Sequence, residues 1–372
     1  MFKVYGVKNL ARRGKGQGGS GNQGNLTMNP AISRRRLLQS TLAAAPMILG
    51  ATDKAASRRP ILGEGEYRYE AIHDWGELPS TIKYGNTHGV VRDSQGHIYV
   101  HHTVHATSIS ADTLVVFDEK GKFVRSWGKQ YRGGAHGLHI QKEGNTEYLY
   151  LCDMLHSVVT KRTLKGEEVF TLGYPAESDA YKLGPDKKRP VYRPTNVAIA
   201  PNGDIYVADG YGASYINRYN RQGEYVQTFG GMGKEAGRLS TPHGIWVDTR
   251  GSEPIVTVAD RSNRRIQTFT LDGKPIGIVD GVKQPCHFHR RGDVVVVPDL
   301  AARVTLLDRD NKVILHLGDG GDAARQLRIK ERSAFIPGEF ICPHSACFDP
   351  DGNLFVVEYV EVGRVTKLRK IA

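Results

Sequence analysis

The feature that most constrains this chain is a unit that returns six times. From Gly85 onward a turn residue leads into a short apolar strand and then Asp/Asn-Gly. A second strand ending near Asp follows, and a third and fourth strand complete the unit. The clearest copy runs from Pro194 to Asp209 and continues through Tyr215–Tyr219 and Tyr225–Gly230. Its Asn202-Gly203, set between two alternating runs, is a strong hairpin signal. Related copies start near Thr87, Ala135, Thr241, Pro285 and Cys342. Their spacing of roughly 35–60 residues is that of a four-stranded propeller blade. Register-matched copies argue against a β-sandwich and predict an all-β fold, a six-bladed β-propeller. The last copy stops after three strands at Leu368, and the alternating stretch Tyr67–Trp75 ahead of the first is expected to supply the missing one. An N-terminal strand closing the last blade would leave no free sheet edge. The insertion Pro175–Arg193, with its charges, Gly and Pro, reads as a surface loop.

Composition agrees with a turn-rich β protein, with 43 glycines and no long helical pattern in the repeat region. The net charge of +12 is misleading, because nine basic residues and one acidic residue lie in the first 56. The remainder carries 42 basic and 38 acidic residues, an ordinary mixed surface with no call for nucleic acid. Cys152, Cys286, Cys342 and Cys347 match neither a zinc CxxC pattern nor a dense disulfide framework, though one disulfide is open to them in an oxidising compartment.

Residues 1–56 read as an N-terminal extension with a signal segment, and 57–372 as the propeller. Ser33-Arg34-Arg35-Arg36-Leu37-Leu38-Gln39 precedes the apolar run Ser40–Ala51, the pattern of a twin-arginine export address. That run is too short for a stable membrane span, and Ala51, Ala55 and Ala56 offer small residues for cleavage. Met28 opens a stretch of ordinary signal length, so translation is expected to start there. The product is expected to be periplasmic or secreted, and monomeric.

All 14 histidines lie beyond residue 56. Aligning the copies puts a polar residue at the start of each first strand: His88, His136, Asn196, His243 and His344, with Cys286-His287-Phe288-His289 in uncertain register in the fifth. First strands line a propeller's channel, so residues far apart in sequence converge there. Imidazole is a common metal ligand, and three histidines with an open position are the donor set of catalytic zinc.

Ala135-His136-Gly137-Leu138, Val207-Ala208-Asp209-Gly210-Tyr211, Thr241-Pro242-His243, Val258-Ala259-Asp260-Arg261 and Cys342-Pro343-His344 occur in that order. As a set they resemble the lyase domain of the peptide α-amidating enzyme, peptidyl-α-hydroxyglycine α-amidating lyase, a propeller of the NHL-repeat type. The resemblance implies zinc on His136, His243 and His344, proton transfer by Tyr211 and carboxylate binding by Arg261. It also implies cleavage of a C–N bond in an α-hydroxyglycine-type small molecule or peptide, giving an amide and glyoxylate. A calcium site would map to the backbone of Val90 and Leu138. This sequence departs from the pattern at Thr103, where the family has a second arginine, and at Ser345, where it has an acidic calcium ligand. His88, His102 and His287 are additional channel candidates, for a second metal or an anion. The alternative function is a non-catalytic NHL propeller binding a protein, peptide or glycan, since propellers host many unrelated functions.

Overall fold

The computed structural model describes residues 59–185 and 187–371, so the N-terminal extension and twin-arginine segment lie outside the described residues. Six antiparallel sheets, five of four strands and one of five, form the blades. Their inner strands are Thr87–Arg92, Ala135–Glu143, Asn196–Ile199, Pro242–Asp248, His289–Arg291 and Pro343–Phe348. In the sixth blade Arg364–Lys370 pairs antiparallel with Tyr69–His73, and Ile61–Leu62 adds a fifth strand.

Why these strands are apolar on both faces follows from their position between neighbouring sheets. In the third blade's second strand, Val207 packs toward the second blade among Tyr150, Cys152 and Val159. Tyr206 and Ala208, pointing the other way, pack toward the fourth blade among Ile245, Val256 and Val258. Comparable apolar clusters lie between every adjacent pair of blades, the sixth and first included, where Val90 and Val100 meet Phe355 and Val357. Outer strands have only one neighbour, and Pro275–Val279 is largely exposed. The Asn202-Gly203 turn forms as its sequence requires, with Gly203 at φ +92° and the Asp204 N–H donating to Asn202 Oδ1 at 3.0 Å.

A buried acid at the end of the second strand organises five of the six blades. Asp153, Asp209, Asp260, Asp299 and Glu358 hold this place in blades 2 to 6. In blades 3 to 6 the carboxylate accepts backbone N–H groups from the loop leading into the same blade's inner strand: Arg193 for Asp209, Ser240 for Asp260, Lys283 and Gln284 for Asp299, and Ile341 and Cys342 for Glu358. Asp153 instead accepts from Leu155 and His156 in the loop that follows it. Glu358 also pairs with the buried Arg364. Blade 1 breaks the pattern, because His102 stands in the acid's place and its Nδ1 accepts the Val104 N–H at 3.1 Å.

Two expectations are refined here. The 175–193 insertion is not merely a surface loop: it forms a short 3-10 turn, Asp179–Tyr181, and buries Tyr181 and Tyr192. The fifth copy's register is settled by the Pro285–Asp299 bridge, which matches Pro242–Asp260 and Pro343–Glu358. Cys286, not His287, is therefore the equivalent of His243 and His344. All four cysteines are buried free thiols.

Removing Glu358 strands the Arg364 guanidinium, only 2% exposed, and two N–H groups. Glu358→Ala is expected to cost about 3–5 kcal/mol, read from urea denaturation, whereas Val226→Ala on an exposed outer strand should cost under about 1 kcal/mol.

Candidate metal centre

Four of the six equivalent inner-strand positions carry histidine, and the four rings meet in the channel. Ring centroids lie 4.7 Å apart for His88–His136, 4.6 Å for His88–His344, 4.9 Å for His136–His243, 4.9 Å for His136–His344 and 4.6 Å for His243–His344. Each ring is buried. A register shift in the inner strand beside each of these histidines marks a local bulge, a device that re-aims a side chain.

The local sequence explains how three of these rings are oriented. His136 Nδ1 lies 2.7 Å from the Thr195 carbonyl, His243 Nδ1 is 2.9 Å from that of Cys286, and His344 Nδ1 is 2.7 Å from that of His88. A carbonyl only accepts, so each Nδ1 carries the proton and each Nε2 presents a lone pair. Glycine makes two of these contacts attainable: a Cβ on Gly137 or Gly244 would sit 2.4 Å from the same Thr195 or Cys286 oxygen. This is the physical content of the repeated His-Gly.

Burial holds the rings neutral, pushing His136 down to about 3 and His88, His243 and His344 well below the usual imidazole value. Neutral, tautomerically fixed imidazoles held by backbone carbonyls are what a metal site requires. The donor set fits a metal, since the buried Nε2 of His136 has no hydrogen-bond partner. His88, His136 and His344 bring ligand nitrogens within 4.8 Å of one another. His243 Nε2 instead accepts from the Tyr211 hydroxyl at 3.2 Å, and Arg261 Nη1 donates to that hydroxyl at 3.1 Å. His88 lacks a carbonyl for its Nδ1, which faces His344 Nε2 at 3.4 Å. The closest trio and the carbonyl-held trio thus share His136 and His344 and differ in the third member.

The rings open into a cavity of about 550 Å³, within the range of small-molecule sites. Thr103, Met154, Tyr211, Arg261, Leu300 and Tyr359 line it. All six sit one to three residues beyond the end of a second strand, one from each blade. Sequence reasoning singled out Thr103, Tyr211 and Arg261 and missed Met154, Leu300 and Tyr359. The signal was present, as the residues following the repeated acid. Burial raises the Tyr211 phenol pKa, and Arg261 works against that rise.

The other expected residues fall elsewhere. His102 packs its ring against Tyr84 and does not line the cavity. His287 lines a separate pocket with His139 and His289. Val90 and Leu138 lie on inner strands beside the cluster, and Ser345 Oγ accepts the Val90 N–H at 3.3 Å, so the position at which the resembled lyases have an acidic residue holds here a hydroxyl already engaged.

These buried neutral rings imply an acid sensitivity. Their folded pKa values lie below the unfolded value of about 6.5, so the unfolded chain binds protons first and stability is lost as pH falls from about 6.5 toward 4. In metal-free protein, His102→Asn removes one such group, held at about 3. The slope of unfolding free energy against pH should flatten by about 1.4 kcal/mol per pH unit near pH 5, as read from urea midpoints.

No family model matches the chain. It is 28% identical over 220 residues to peptidyl-alpha-hydroxyglycine alpha-amidating lyase 1 of Drosophila melanogaster, covering 51% of this chain and 38% of that protein. It is 27% identical over 273 residues to a Caenorhabditis elegans protein named a probable lyase of the same kind, covering 70% and 71%. The chain spans about two-fifths of the fly relative's length. Among solved structures, a streptogramin B lyase superimposes with a TM-score of 0.55 at 13% identity, covering 82% of this chain and 99% of that one, a likeness of fold alone. The chain is a six-bladed propeller with distant relatives named as amidating lyases.

Proposed function

We propose that this chain is a zinc-dependent carbon–nitrogen lyase acting on an α-hydroxyglycine-type substrate, with His136, His243 and His344 as ligands. The observation that carries the reading is the common orientation of those three rings, each with Nδ1–H on a neighbouring backbone carbonyl and Nε2 turned inward. His88 has no such support, which favours His243 over it as the third ligand. Zinc held there would supply a Lewis acid that lowers the pKa of the substrate's hydroxyl.

The chain's own groups supply the rest. Tyr211 Oη, half-buried and bonded by Arg261, is placed to take and return a proton. The substrate hydroxyl loses its proton, its C–O bond becomes the carbonyl of glyoxylate, the C–N bond breaks, and the amide nitrogen gains a proton. Arg261, on the cavity wall, offers a cation to the substrate carboxylate.

His136→Ala, His243→Ala and His344→Ala are each expected to lose bound metal, and His88→Ala to keep it, by elemental analysis of purified protein. Metal loss in His88→Ala with retention in His243→Ala would place the site on the other trio. Tyr211→Phe should retain metal while kcat falls about 10²- to 10⁴-fold.

Export by the twin-arginine route to the periplasm or beyond belongs to the same reading, and the Ser33–Gln39 motif supports it. Replacing Arg34 and Arg35 together by lysine should leave a fused reporter in the cytoplasm, as measured by cell fractionation.

A further inference from the structure

The cavity wall carries two arginines, Arg193 and Arg261, and no carboxylate among its lining residues. They are not equivalent. Arg261 is committed through Nη1 to the Tyr211 hydroxyl, and its guanidinium lies 5.2 Å from the centre of that ring.

Arg193 is the last residue of the insertion between the second and third blades. Its side chain is exposed toward the cavity. Among the described residues its guanidinium has neither a hydrogen bond nor an ion pair, whereas its backbone is firmly held. Its N–H donates to Asp209 Oδ1 at 2.6 Å, and its carbonyl accepts the Tyr211 N–H at 3.4 Å. The flanking insertion is tied down as well. The Tyr192 carbonyl accepts from Ser157 Oγ at 2.7 Å, that of Pro190 accepts from the Tyr174 hydroxyl at 2.9 Å, and the Tyr181 hydroxyl donates to Asp209 Oδ2 at 2.7 Å. A rigid backbone thus presents an uncommitted guanidinium beside Tyr211, the arrangement that makes a binding residue selective.

We infer that Arg193 is a specificity-determining residue that grips the carboxylate of an N-acylglycine-type substrate, jointly with Arg261. This rests on the reading above and adds a residue to it. The guanidinium fork can take both oxygens of a carboxylate at once, which a lone lysine or a neutral imidazole cannot. The unrepeated 175–193 segment then has a purpose beyond covering Tyr181: it carries a cation to the channel that the six-fold repeat does not provide.

The test pairs binding with turnover. N-acetylglycine, which lacks the reacting hydroxyl, and its methyl ester are titrated calorimetrically into wild type, Arg193→Ala and Arg193→Lys. The acid is expected to bind wild type more tightly than the ester. Arg193→Ala should lose about tenfold in affinity for the acid and none for the ester, and Arg193→Lys should recover part of the loss. Equal acid affinities in wild type and Arg193→Ala, or no measurable binding of the acid to wild type, would overturn the inference. Turnover of N-acetyl-α-hydroxyglycine by the metal-loaded proteins then separates the two claims. A tenfold rise in KM at little-changed kcat in Arg193→Ala supports the specificity role. An inactive wild type that still binds N-acetylglycine through Arg193 sinks the lyase reading and leaves the anion site standing.

Discussion

The buried carboxylate at the end of the second strand is the interaction on which the rest of this propeller depends. Burying an acid is costly unless its oxygens are fully engaged. In blades 3 to 6 the engagement comes from N–H groups of the loop that feeds the same blade's inner strand. One contact therefore fixes two things: where the inner strand begins, and so where its first side chain points, and where the chain leaves the second strand. The histidines stand at the first of these places and the cavity walls at the second. In the fourth and sixth blades the acid thus sets both a candidate ligand, His243 or His344, and the start of the pocket wall above it.

At three of the six blade boundaries the histidine rings add a join at the channel to the apolar packing between the sheets. The Nδ1 bonds of His136, His243 and His344 reach the inner strand of the next blade around the ring, to Thr195, Cys286 and His88. They orient the rings and at the same time stitch neighbouring sheets together at the channel. Gly137 and Gly244 permit the close approach, since any side chain there would collide with the accepting carbonyl. Structural and chemical demands coincide at those pairs. A ring that is neutral and held at Nδ1 suits metal binding, and burial supplies the neutrality.

Departures from the repeat are where this chain becomes particular. His102 replaces the acid of the first blade, Asn196 and Cys286 replace histidine at two of the six inner positions, and the 175–193 insertion carries Arg193 to the cavity. Thr103 stands on the cavity wall where the resembled lyases have an arginine, and Arg193 reaches the same cavity from a different part of the chain. Of the two arginines on the cavity wall, one therefore comes from within the repeat and one from outside it.

By itself the sequence determined the six blades, the turn at Asn202-Gly203, the repeated His-Gly and the acid that recurs near the end of the second strand. All of these are local patterns whose periodicity survives without coordinates. It also pointed to Tyr211 and Arg261 through ordered motifs. Only the tertiary structure decided that Cys286 rather than His287 holds the fifth inner position, because a shortened strand leaves the register open until its partner is seen. Likewise, only the folded chain showed which of the four rings has a carbonyl at its Nδ1, since that partner faces it across a blade boundary. Arg193 was invisible for the same reason: nothing in an aperiodic, charged insertion says which of its side chains the fold will turn toward the channel.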